Sequence, residues 1–127
     1  MKIADFLRLY TEDSLIQSLT DAFRNRASGE PLRLQFKGLA GSLDAVMAAT
    51  VYRRVGGTHL FVLSDRDEAS YFFNDLQNLL EREVLLFPMS YKKPYQYEEV
   101  ENANVLLRAE VLNRISLGMK EGSLIVT

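Results

Sequence analysis

The chain has 127 residues, long enough for one domain with a real core, and its 47% apolar and 25% charged residues are ordinary globular composition. A formal net charge of −2 provides no uniform positive field for nucleic acid, so any such affinity would need a local patch. With no cysteine, disulfides, thiolate metal sites and cysteine nucleophiles are excluded, and a cytoplasmic, membrane-free protein is the expectation.

In chain order, Ile3, Phe6, Leu7 and Tyr10 fall at helical spacing. Leu15, Ile16, Leu19 and Phe23 do so again after a joint near Thr11, so residues 1–30 are expected to form N-terminal helices. The breaker cluster at 27–31 precedes an alternation of Leu32, Leu34 and Phe36 with Arg33 and Gln35, which predicts a first strand. A glycine turn follows, then a small-residue helix through Ala45, Val46, Ala48, Ala49 and Tyr52 that ends at Gly56 and Gly57. Apolar runs at 60–63 and 84–87 predict buried parallel strands, the second stopped by Pro88. Between them a helix starts at Asp65, with Glu68 placed for a capping box, and carries Ala69, Phe72, Phe73, Leu76, Leu79 and Leu80. A further helix from Val105 to Ile115 and a last strand at 124–126 complete the pattern.

Strands alternating with helices predict βαβ units. The expected fold is α/β: a three-layer parallel sheet with helices on both faces, a partial P-loop NTPase or helicase-like (RecA-like) domain over residues 31–127. Because the last residue falls at the end of a strand with nothing to cover its far side, the chain is expected to be a piece of a longer one.

The turn between the first predicted strand and helix has the placement of a P-loop without its chemistry. Such a loop needs GxxxxGK[ST], so that backbone N–H groups cradle phosphates, the lysine meets their charge and the hydroxyl holds Mg²⁺. Gly38, Gly41 and Ser42 fit the frame, but Leu43 stands where a glycine is required, Asp44 in place of the lysine and Ala45 in place of the hydroxyl. Unit charges about 4 Å apart interact by roughly 4 kcal/mol at an effective dielectric near 20, so exchanging Lys⁺ for Asp⁻ swings the contact by about twice that. The glycines are then expected to serve a tight turn, with Ser42 or Asp44 capping the helix. The alternative is a phosphate- or nucleotide-binding enzyme or sensor that uses the turn as an anion site. If the turn kept P-loop geometry, Leu43→Gly, Asp44→Lys and Ala45→Thr together would restore some phosphate affinity.

Other chemistry is thin. Asp67, Glu68, Ala69 and Ser70 mimic a DExx signature but open a helix, where acidic residues favour the dipole. His59 is the single histidine, which leaves no metal constellation, and Ser42 and Ser64 have no visible base, so no catalytic residue is assigned. The loop after Pro88 concentrates Tyr91, Lys92, Lys93, Tyr95 and Tyr97, aromatics and cations that could stack bases and meet phosphates, with Glu98, Glu99 and Glu101 close behind to cancel the charge. It is expected not to bind DNA measurably by itself.

Together, GLAGSLDAVMAA, HLFVLSD, DEASYFFNDLQNLL, VLLFPMSYKKPYQYEE, NVLLRAEVLNRI and SLIVT, in this order from about Leu32 onward, resemble the N-terminal segment of the bacterial transcription-repair coupling factors, the Mfd family. That segment is similar to the first domain of the excision-repair helicase subunit UvrB, which keeps a working P-loop and an aromatic hairpin that engages DNA. The resemblance implies a DNA-repair protein whose UvrB-like N-terminal module has lost ATP binding, with ATP, Mg²⁺ and helicase-like hydrolase chemistry belonging to motor domains elsewhere in the parent. It also implies the parent's partners: RNA polymerase, UvrA, double-stranded DNA and the remaining domains of its own chain. The module itself is expected to need no cofactor and to be no enzyme.

Overall fold

The computed structural model describes residues 2–26, 29–89, 102–119 and 122–127. Among these residues there are five helices: α1 (Ile3–Thr11), α2 (Ser14–Asn25), α3 (Leu43–Val55), α4 (Arg66–Leu80) and α5 (Asn102–Ser116). Three short strands, β1 (His59–Phe61), β2 (Leu85–Leu86) and β3 (Leu124–Val126), make one parallel sheet in the order β1-β3-β2. His59 pairs with Leu124 and Phe61 with Val126 on one side of β3, and Leu85 pairs with Ile125 on the other.

Local chemistry explains where the helices begin and end. The Asp13 carboxylate accepts from the Leu15 and Ile16 amides, so α2 starts at Ser14, just past the joint near Thr11. Asp65 does the same for Asp67 and Glu68 at the start of α4. Each such cap satisfies donors that a helix start leaves orphaned and contributes about 1 kcal/mol. Glu68 does not complete a reciprocal box: its carboxylate accepts from the Ser64 hydroxyl instead. The chain leaves α3 through Gly56 and Gly57, both at positive φ, a conformation that side chains with a Cβ adopt only at a cost.

The main core lies on one face of the sheet. Leu7 of α1, Ala45, Val46, Ala49 and Tyr52 of α3, Ala69, Phe72, Leu76 and Leu80 of α4, and Leu124 and Val126 of β3 are buried in it. On the opposite face Val111 of α5 meets Leu85 and Ile125, with Phe87 and Met119 beside them. Thr20 and Thr50 are buried and satisfied, their hydroxyls donating to the carbonyls of Gln17 and Val46.

The RecA-like expectation fails. The described residues are 58% helical with only a small three-stranded sheet, which is not a three-layer parallel-sheet domain. Residues 32–36, expected to be the first strand, have no regular secondary structure, and the runs at 60–63 and 84–87 contribute ladders of only three and two residues. With so little sheet to cover, α3 packs chiefly against the helices α1, α2 and α4. A strand needs a partner to satisfy its backbone, and an alternating pattern supplies only the side chains for one. No helix among the described residues is long and apolar enough to cross a membrane.

Candidate functional site

The glycine turn enters α3 directly from the irregular segment, so the strand that should aim a phosphate cradle is missing. Gly38 and Gly41 adopt φ values of 79° and 58°, and a Cβ at either would meet open space. Backbone conformation, not crowding, is what calls for glycine there. The Leu43 amide donates to the Ala40 carbonyl at 3.3 Å, and the Val46 amide donates to the Ser42 carbonyl at 3.1 Å.

Ser42 sits at the N-cap of α3 but its side chain makes no capping hydrogen bond. Asp44 does the local work instead: its carboxylate accepts from the Ala45 amide at 2.7 Å, placing a negative charge in the first turn, where the helix dipole favours it. Any phosphate approaching this end of α3 would meet that carboxylate. Ala45 is fully buried in the main core and Leu43 packs against it. The two positions that a P-loop uses for close approach and for Mg²⁺ are therefore packing positions in this fold.

The other sequence-derived candidates have structural partners. The His59 ring Nε2 lies 2.8 Å from the Gly56 carbonyl, and the ring stands edge-on to Tyr52 with centroids 5.2 Å apart. Asp67 and Glu68 lie in the first turn of α4 with their amides on Asp65, the arrangement of a capped helix start. Among the described residues no group of three or more His, Cys, Asp or Glu side chains gathers as metal ligands would. Tyr91, Lys92, Lys93, Tyr95 and Tyr97 lie outside the described residues.

Tertiary structure builds one cluster that sequence reading missed. The Tyr52 hydroxyl donates to the Gly122 carbonyl at 2.7 Å, and the Arg82 guanidinium both donates to that hydroxyl and lies over the Tyr52 ring, 5.1 Å from its centroid. Nearby, Arg114 makes a two-pronged ion pair with Glu83, 2.7 Å for each bond, and a third bond of 2.9 Å to Glu110. The Glu83 bonds first, and the Glu110 bond second, push the Arg114 pKa up from its ordinary value. Arg82, Glu83, Arg114 and Ser123 line a cleft of about 520 Å³ at the N-terminal end of β3. Its opposed charges largely cancel, and it sits away from the C-terminal strand ends where open parallel sheets bind ligands. Tyr52 read only as a helical core position because its partners lie 30 and 70 residues further along the chain.

Comparison with protein-family models, with curated proteins and with solved structures found no match.

Proposed function

We propose that this chain is a non-catalytic module of a transcription-repair coupling factor: the UvrB-like N-terminal part of an ATP-driven DNA translocase that removes stalled RNA polymerase and recruits the excision-repair machinery. The order of sequence motifs from about Leu32 onward supports that assignment. The observation that carries its non-catalytic character is Asp44, whose carboxylate holds the Ala45 amide at the helix start that follows the glycine turn. In this reading ATP and Mg²⁺ serve motor domains elsewhere in the parent, and double-stranded DNA, RNA polymerase and UvrA are partners of the whole protein. The module acts as a scaffold for the domain that follows it.

Two measurements test the reading. Calorimetric titration of the chain with Mg²⁺-ATP is expected to give no binding tighter than about millimolar, since phosphates near Asp44 meet repulsion of kcal/mol size. A micromolar constant would instead support a phosphate- or nucleotide-binding enzyme or sensor using the turn at residues 38–42. Deleting these residues from the protein that carries them should remove the preferential repair of transcribed strands in ultraviolet-irradiated cells, read by strand-specific lesion mapping. Unchanged strand bias would overturn the assignment to a coupling factor.

A further inference from the structure

β3 is the middle strand of the sheet, and its own side chains say little about its register. A slip of one residue moves every side chain of a strand to the other face, which an alternating strand resists because its polar groups would enter the core. Leu124 and Val126 lie in the main core and Ile125 in the cluster beside Val111, so both faces of β3 are buried and both are aliphatic. Exchanging side chains of similar size and polarity is among the changes that cores tolerate best.

Backbone bonding does not choose the register either. The His59 amide donates to the Ser123 carbonyl and the Leu63 amide to Thr127 on one side of β3, while the Phe87 amide donates to Val126 on the other. A slip of one residue turns each of these groups toward the opposite neighbour, and a strand with a parallel partner on both sides finds bonds in either phase. The two ladders hold only three and two residue pairs, so little is lost by shifting them.

The Tyr52 cluster discriminates where the ladders do not. Tyr52 is packed in the main core, which fixes where its hydroxyl stands. Arg82 can only donate, so its bond takes a lone pair of the Tyr52 oxygen and leaves the phenolic proton for the Gly122 carbonyl. Gly122 has a φ of 82°, and a Cβ built on it would lie 2.7 Å from the Tyr52 oxygen and 3.6 Å from an Arg82 nitrogen. The first distance is well inside the roughly 3.5–4.0 Å of non-bonded atoms in contact. Its chain neighbours, Glu121 and Ser123, both carry a Cβ, and a slip of one residue in either direction brings one of them to the place of Gly122.

We infer that the Tyr52 hydroxyl, aimed by Arg82, is the register key of β3: it admits the bare backbone of Gly122 and excludes the residues on either side. The strand shared by the two halves of the core then enters the sheet in one alignment, with Leu124 and Val126 on the main core and Ile125 beneath α5. Without the key, a ladder shifted by one residue becomes populated. The device concerns the alignment of the sheet and is independent of the function proposed above.

Disulfide closure on the whole chain tests this, because the sequence has no cysteine to compete with an introduced pair. Leu60 is the ladder partner of Ile125, and a slip makes it the partner of Leu124 or Val126. With Tyr52 in place, Leu60→Cys with Ile125→Cys is expected to close under mild oxidation. Leu60→Cys with Leu124→Cys, or with Val126→Cys, should close about tenfold or more slowly, since their side chains then point to opposite faces. Adding Tyr52→Phe, which keeps the ring and removes the hydroxyl, should speed one slipped pair by about five- to tenfold, the size of one lost hydrogen bond, and leave the native pair as it was. Slipped pairs that do not respond to Tyr52→Phe would overturn the proposal, and so would a rise by one common factor in all three pairs, the sign of general loosening. Should the cysteine variants fail to fold, NMR of the Tyr52→Phe chain decides: a second set of resonances confined to residues 59–63, 85–87 and 123–127 supports the key, and a single set counts against it. Should Tyr52→Phe itself fail to fold, Arg82→Met, at an exposed residue, leaves the phenol free to turn and is read by the same pairs with the same two outcomes.

Discussion

The triple variant Leu43→Gly, Asp44→Lys, Ala45→Thr is expected to lose stability and to gain no affinity for Mg²⁺-ATP. From the sequence alone the same three changes would be a repair of the loop, but the fold gives two of the positions other work. Leu43 opens α3 and packs on the core, so glycine there costs about 1 kcal/mol of helix propensity and a similar amount of lost packing. Ala45 is fully buried between α3 and its neighbours, and the extra atoms of threonine overpack the site at a cost of about 1–3 kcal/mol. The total, about 3–5 kcal/mol, is a large part of the 5–15 kcal/mol that stabilises an ordinary domain. Thermal unfolding should therefore shift down by more than about 10 °C. Calorimetry on the folded fraction should show no nucleotide heat, because no strand aims the turn at a phosphate. Micromolar ATP binding by a stable triple variant would show that the turn adopts P-loop geometry after all.

Leu76→Ala should cost about 2–5 kcal/mol in urea unfolding, the usual range for emptying a well-packed leucine site. Leu76 is 0% exposed in the middle of α4, within the cluster where α3, α4 and β3 meet, so neighbours on three sides limit how far the cavity can collapse. Leu106→Ala, on the outer face of α5, should change stability by no more than about 0.5 kcal/mol. Equal effects at the two positions would mean that the core lies elsewhere than in this cluster.

Most of the element boundaries could be read before any coordinates. Asp65 caps its helix with its own side chain, Gly56 and Gly57 carry the chain out of α3, and Pro88 follows the end of β2, whereas the Asp13 cap of α2 was not read. Each of these signals acts over a few residues of backbone, so sequence by itself determines it. The apolar stripe of α4 was equally legible, since Ala69, Phe72, Leu76 and Leu80 recur at the helical period and are the residues buried. So was the chemical poverty of the glycine turn, because a leucine, an aspartate and an alanine stand where the working residues would be.

Pairing and packing between distant segments were decided only in three dimensions. The alternation of Leu32, Leu34 and Phe36 describes a side-chain pattern that suits a strand, yet the backbone there has no ladder partner, and the RecA-like sheet inferred from it is absent. The small residues of α3 suit either a sheet or other helices, and the choice fell to α1, α2 and α4. Which of Ser42 and Asp44 would serve the start of α3 also depended on the fold, because side-chain direction follows from how the helix is held, and the Asp44 carboxylate is the one that meets an amide. The Tyr52 hydroxyl on Gly122 closes a span of 70 residues, a contact that no local pattern announces. A cap needs only its neighbours, whereas a strand pair or a buried hydroxyl needs a partner that distant chain must bring to it, at an entropic cost that only the whole fold can offset.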